Sequence, residues 1–323
     1  MAERRKRDAG LIDGLTAELG GPRMSRLLSQ LDAATPWGVL VPAVSVLPEY
    51  QPSPRGGRPA WPAEVMLRCL LLAKWFGLSD PQLEDMLQDR LSFRRFVGLA
   101  LTDNVPDETS FVVFRNRLRE HGVHDRLFAL LREHLDARGL LVKEGTIVDA
   151  TIIPASRGRA RPDGTKTADP DAAGTRKHGV PHFGYKAHVA VDSSRLATGY
   201  RVSNAREHEG VHLDELVRGE RHAVYADAMH DGAPRRAALS ARGVGAWICY
   251  QRRRGQARLP AQRAIFNHLV SRVRARVEHV FAELKQRLGY RRVRYRGLER
   301  NSADICMTLI ALNIRRTLSL QAR

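Results

Sequence analysis

Near Leu140 the chain changes its period, and that change limits the fold more than any other feature of the sequence. Upstream, apolar residues recur at helical spacing. Downstream comes TIVDATII, Thr146 to Ile153, in which six of eight residues are β-branched. Such side chains suit a pleated, buried strand. The run contains one misfit, Asp149, whose carboxylate is expensive to bury without a partner.

The upstream half reads as all-helical. From Ala63 to Gly77, Val65, Met66, Cys69, Leu70 and Ala73 share one side. Ser79-Asp80-Pro81 carries a helix-start signature. A third helix is expected from about Asp107 and a fourth from Val123 to Arg138, closed by Gly139. The downstream half alternates. Strands are expected at Thr146–Ile153, Tyr185–Asp192, Gly199–Ala205, Ala223–Ala228 and Ala246–Tyr250. Between them fall a short helix at about Gly210–Val217 and another at Pro234–Arg242. A long helix over Arg263–Leu288 and a terminal one over Asn301–Leu318 close the chain. Residues 154–182 have no period and read as a mobile loop. The expectation is an α/β chain: an all-α N-terminal domain over residues 1–140, then a mixed sheet with packed helices over 141–323.

Composition narrows the setting. No apolar run approaches the roughly 20 residues that span a bilayer. Met1 to Gly10 is charged and precedes no apolar segment, so a secretory signal and a membrane partner are not expected, and a cytoplasmic location is. Cys69, Cys249 and Cys306 lack metal-ligand spacing and read as buried small hydrophobes. The net charge is +18. Residues 251–300 hold 15 Lys and Arg against three Glu, so two-thirds of the excess lies in under a sixth of the chain. That distribution suits a nucleic acid partner. Arg252, Arg253, Arg254, Arg291 and Arg292 are its candidate contacts.

Asp227, near the end of the strand AVYADA, repeats the situation of Asp149. One such acid suits a turn or helix cap; two in one sheet can share a cation. The long helix supplies a third. Its apolar stripe is Phe266, Leu269, Val270, Val273, Val277, Val280, Phe281 and Leu284. At about 100° per residue, Arg274, Glu278 and Lys285 fall within an arc of roughly 40° at the edge of that stripe. An exposed Arg–Glu pair at this spacing is the plainer alternative. Glu283 lies some 140° around from Glu278 and serves as a control. Three carboxylates beside a basic groove suit phosphodiester chemistry with two divalent ions, Mg²⁺ or Mn²⁺. Arg274 and Lys285 would then hold phosphates. Lys186 and His188, on the strand GYKAHVAVD, are further residues able to approach DNA or metal. His178, His182, His208 and His212 read as surface residues, and Asp169, Asp171 and Asp192 as loop or turn acids without a surrounding constellation.

The spacing Arg274-x3-Glu278-x6-Lys285 resembles the signature of DDE transposases of the insertion-sequence-five group, within the insertion-sequence-four superfamily. TIVDATIIPA, HFGYKAHVAVD and VYADAMHDG resemble that family's first-aspartate strand, second strand and second-aspartate segment. GRPAWPAEVMLRCLLLAKWFGL and VPDETSFVVFRNRL resemble its helical N-terminal domain. Ser271 stands where the superfamily often has Tyr, and Met229-His230 where it often has Gly-Tyr. The resemblance implies an RNase H-like catalytic core. It implies Asp149, Asp227 and Glu278 as metal ligands, cleavage at terminal inverted repeats of double-stranded DNA, and transfer of the freed 3′-OH to target DNA. A homodimer would synapse two ends. The N-terminal helices would read the repeats, with Arg94, Arg95, Arg115, Arg117 and Arg119 as contacts, or would serve packing alone. A transposase-derived DNA-binding protein that does not cut, and an RNase H-like nuclease without strand transfer, remain as alternatives.

Overall fold

The computed structural model describes residues 23–51, 59–158, 168–177, 179–252 and 255–321. Arg253, Arg254 and His178 lie outside the described residues, as does the centre of the expected loop, 159–167. The chain divides into two compact units: residues up to Ala137 together with Cys306–Arg323, and Arg138–Ile305. Among the described residues no helix is long and apolar enough to cross a membrane.

The first unit is helical: α1 (Arg23–Ala34), α2 (Trp37–Val44), α3 (Ala63–Phe76), α4 (Asp80–Asp89), α5 (Leu91–Val97), α6 (Glu108–Glu120) and α7 (Val123–Ala137). Local chemistry sets the boundaries. Gly77, with φ of 66°, ends α3 in the left-handed conformation that glycine adopts without a Cβ penalty. Ser79 and Gln82 form a reciprocal capping box at the start of α4. Asp107 caps α6 by accepting from Ser110 N at 2.6 Å. The end of the chain returns to this unit: Trp75 Nε1 donates to Ala311 O at 2.8 Å, and Cys306 lies against His124 O.

Arginines expected on the DNA face are largely engaged here. Arg94 is buried and donates to the carbonyls of Leu87, Ala100, Leu101 and Asp103, so it is a structural tie rather than a surface contact. Arg115 makes a bidentate pair with Asp80 at 2.6 and 2.5 Å. Arg117 pairs with Glu49 at 3.1 Å, and Arg119 with Glu120 at 3.3 Å.

The second unit is built on a six-stranded sheet. Its strands are β1 (Thr146–Pro154), β2 (Ala173–Lys177), β3 (Val180–Val191), β4 (Ala197–Asn204), β5 (Ala223–Ala226) and β6 (Gly245–Ile248). The order across the sheet is β4-β3-β1-β5-β6, with β2 alongside the first residues of β3. β3 runs antiparallel to both of its neighbours, β1 and β4; β1, β5 and β6 run parallel. Parallel neighbours need crossovers. The short helix α8 (Leu213–Leu216) lies between β4 and β5, and α9 (Ala233–Ala241) between β5 and β6. Val148, Ala190, Val224, Ala226 and Ile248 form one core with Leu213, Val217 and Leu239 of these crossovers. α10 (Ala261–Ala282) packs on β1, β5 and β6, and α11 (Leu298–Gln321) ends the described chain.

Three expectations are corrected. Residues 173–177 and 180–182 are strand, not loop: β2 pairs with Val180–Gly184. Buried Asp169 holds this segment by accepting from Tyr185 OH at 2.7 Å and Gly297 N at 3.1 Å, while Asp171 accepts from Leu298 N at 2.8 Å. Asp192, also buried, accepts from Leu196 N and Val142 N. These three acids therefore have constellations of their own, made of backbone and tyrosine donors. The long helix is not one regular helix either: after Ala282 it passes into a π-turn, Glu283–Arg287, which rotates Lys285 away from its ideal-helix position. Leu269, expected in the core stripe, is exposed, whereas Val270, Val277, Val280, Phe281 and Leu284 are buried.

Gly184 marks the tightest point of the sheet. Its φ is 155°, and a Cβ there would stand 2.2 Å from Ile153 O and 2.8 Å from Ala155 N. Both neighbours are backbone atoms, at the end of the strand that carries Asp149 and just past it, so neither can rotate aside. Gly184→Ala should cost about 3 kcal/mol or more. In a chain of this size that lowers Tm by roughly 10 °C in a thermal melt. An unchanged Tm would contradict this close approach.

Candidate metal centre

The sheet brings the two strand acids side by side. β1 and β5 pair in parallel with Thr146 opposite Val224 and Ile147 opposite Tyr225. The paired region ends there; Asp149 follows two residues later on β1 and Asp227 two residues after Tyr225, and both line one cleft. Asp227 stands just past β5, where its Oδ1 caps a short turn by accepting from Met229 N at 3.0 Å. The expected strand thus ends one residue before the acid, and the carboxylate is free of the ladder. Asp149 Oδ1 accepts from Ala150 N at 2.8 Å.

α10 crosses this edge. Arg274 Nη2 donates to Asp149 Oδ2 at 2.8 Å. Burial works against the guanidinium charge, but Asp149 and Asp227 outweigh it and raise its pKa. Glu278, one turn on, is exposed, and among the described residues it makes no hydrogen bond or ion pair. Asp149, Asp227, Glu278, Arg274 and Lys186 all line one cleft of about 670 Å³. Arg176, Lys177, Arg206 and Glu209 line it too, and sequence reasoning missed all four. The three cations lie in segments without a period, and Glu209 lies in EHEGVH, a stretch without a period of its own.

Other expected residues lie elsewhere. Lys285 does not line the cleft; burial lowers its pKa, and nearby Lys177 adds to that effect. Arg252 is exposed and donates to Ala257 O at 3.2 Å. Arg291 and Arg292 are exposed. His188 is not at the surface of the cleft: it is 1% exposed, bonded to Ser203 Oγ at 2.9 Å and in tilted ring contact with His212 at 4.6 Å between centroids. Burial, with His212 and Lys186 beside it, pushes its pKa down to about 3, so it stays neutral. His212, read as a surface residue, is half-buried and pairs with Glu207 at 3.0 Å.

Lys186 is buried, donates to Glu207 O at 2.8 Å, and stands 3.4 Å from Glu209 Oε1. Burial raises the Glu209 pKa; Lys186 opposes the rise, and Asp227 and Asp149 add to it. Two acids of the cleft are therefore neutralised from within, Asp149 by Arg274 and Glu209 by Lys186.

A family model described as a transposase DDE domain matches residues 141–314, more than half of the chain. The chain belongs to the DDE-domain transposases. A second model, described as a transposase domain, matches residues 21–117. No solved structure matches the chain. Membership makes this a DNA-cleaving and DNA-joining enzyme that uses divalent metal. The donor set of the cleft fits a divalent cation. Carboxylates gather where burial and mutual repulsion disfavour their charge, as the raised pKa of Glu209 reports. Beside them His230 is 1% exposed with both ring nitrogens unpartnered.

Proposed function

We propose that this transposase binds the terminal inverted repeats of an insertion sequence, cleaves the DNA there, and transfers the freed 3′-OH to target DNA. Asp149, Asp227 and Glu278 are the proposed ligands of Mg²⁺, with Mn²⁺ as a substitute. The observation that carries this reading is that Asp149 of β1, Asp227 just past the parallel neighbour β5, and Glu278 line one cleft. The strand order, three antiparallel strands continued by two parallel ones, favours an RNase H-like core over residues 141–323. The N-terminal helices, within residues 1–140, are the proposed reader of the repeats. The signature Arg274-x3-Glu278-x6-Lys285 supports the insertion-sequence-five group. Joining two ends asks for two copies, hence a homodimer at synapsis, acting in the cytoplasm where the bacterial nucleoid lies.

The chemistry divides among the residues. When bound, the divalent ions activate the attacking oxygen and stabilise the leaving one. Ionised Asp149, Asp227 and Glu278 are acceptors only, so their task is to hold positive charge at the scissile phosphate. Arg274 now neutralises Asp149. Once that carboxylate is shared with a cation, the guanidinium is placed to bind a backbone phosphate in the same cleft. Arg176, Lys177 and Arg206 along the cleft would grip neighbouring phosphates. Lys285, Arg252, Arg253, Arg254, Arg291 and Arg292 remain proposed contacts outside it. Arg115 and Arg117 would first have to leave Asp80 and Glu49.

The test uses the whole chain with a duplex carrying the element's end and an unrelated target duplex, in Mg²⁺. Covalent end–target products are expected, on denaturing gels, alongside cleaved ends. Cleavage without joined product would reduce the reading to a nuclease. Binding without cleavage would reduce it to a DNA-binding protein.

A further inference from the structure

Within the second unit, one buried side chain has no partner. His230 is 1% exposed, and neither ring nitrogen has a hydrogen-bond partner among the described residues. Its Nδ1 stands 4.0 Å from Asp227 Oδ1, beyond hydrogen-bond reach. A buried polar atom left unpaired costs free energy and asks for an explanation. The surroundings offer one. Glu209 enters from the turn Glu209–Val211, with its side chain 15% exposed. One carboxylate oxygen each of Glu209 and Asp227, and one ring nitrogen of His230, all lie within 4.8 Å of one another. Donor atoms on one ion with bonds of about 2.1 Å lie at most about 4.2 Å apart. Only a trans pair reaches that separation; three donors at near-tetrahedral angles stand about 3.4 Å apart, so closing the cluster takes a contraction of up to about 1.4 Å, within the reach of side-chain torsions.

We propose that Glu209, Asp227 and His230 bind a single first-row divalent transition-metal ion at a site that shares Asp227 with the proposed catalytic triad. The site differs in chemistry from the three carboxylates. Mg²⁺ holds to oxygen and keeps its waters, whereas an imidazole nitrogen suits the softer ions of the first row. A neutral imidazole is a common ligand, and here both its nitrogens are available. Lys186, 3.4 Å from Glu209, is the counter-ion that the metal displaces; its remaining bond to Glu207 O keeps it at hand. Occupancy would restrain the Asp227 carboxylate, which the proposed catalytic triad shares. Only this last consequence rests on the transposase reading.

The test is Mn²⁺ binding to the full chain without DNA, followed by pulsed electron paramagnetic resonance. A nitrogen coupling from one imidazole is expected in the wild type. His230→Phe should remove it and weaken Mn²⁺ binding at this site by about 10-fold or more. Glu209→Gln should weaken binding by a similar factor while the coupling persists at saturating Mn²⁺ and circular dichroism stays unchanged. If His230→Phe fails to fold, Glu209→Gln decides. No nitrogen coupling in the wild type, a coupling that survives His230→Phe, or unaltered affinity in Glu209→Gln overturns the proposal. Glu278→Gln should keep the coupling. End cleavage without the coupling would remove this site alone, and the coupling without end cleavage would remove the triad alone.

Discussion

Glu278→Gln should reduce cleavage of an end-containing duplex in Mg²⁺ by on the order of 10³-fold or more, the scale on which one essential charge acts in a phosphoryl-transfer site. That corresponds to about 4 kcal/mol of lost transition-state stabilisation. The fold should not notice the change. Glu278 is exposed and makes no hydrogen bond or ion pair among the described residues, so its amide leaves nothing buried and unpaired. End binding should survive, because a neutral amide removes one negative charge from a cleft that meets a polyanion. Glu283→Gln is the control. Glu283 begins the π-turn and does not line the cleft, so that variant should cut as the wild type does. Full cutting by Glu278→Gln, measured on labelled duplex under single-turnover conditions, would remove Glu278 from the ligand set.

The contrast between Glu278 and Glu209 explains what was legible beforehand. Glu278 sits on a long helix with a strong apolar stripe, where angular position follows from residue number. Asp149 sits in a β-branched run whose character is plain from local sequence. Glu209 lies on a one-turn segment between β4 and α8, and its place beside Asp227 depends on how that crossover folds back over the sheet. No local pattern carries that information. β2 was missed for the same reason: AGTRK has no alternation, and its neighbourhood is anchored by Asp169 and Asp171 reaching to Gly297 and Leu298, some 127 residues away. Lys285 shows the opposite failure. The wheel that located Glu278 correctly beside the cleft assumed 3.6 residues per turn, and the π-turn after Ala282 breaks that assumption for Lys285. His230 stood out in the sequence only as a departure from a motif. Its burial and its unpaired nitrogens needed coordinates.

Asp149→Asn should separate the proposed role of Asp149 as a metal ligand from its contact with Arg274. Cleavage should again fall by on the order of 10³-fold, because a neutral amide cannot hold the cation's charge. DNA binding should move in the other direction. The Arg274–Asp149 pair at 2.8 Å has both side chains less than one-fifth exposed, so the guanidinium is held by a charge-assisted bond and not by water. With the carboxylate gone, the guanidinium loses its strongest partner, and the nearest replacement is a phosphate in the cleft. One added phosphate contact steepens the dependence of log K on log salt by about 0.9. In metal-free buffer, Asp149→Asn should therefore bind end DNA more tightly than the wild type at low salt, and lose that advantage as salt rises. Arg274→Ala added to Asp149→Asn should return the slope to the wild-type value. A slope that ignores Asp149→Asn would mean that Arg274 stays where it is when its partner is removed, and would take the guanidinium out of the DNA contacts.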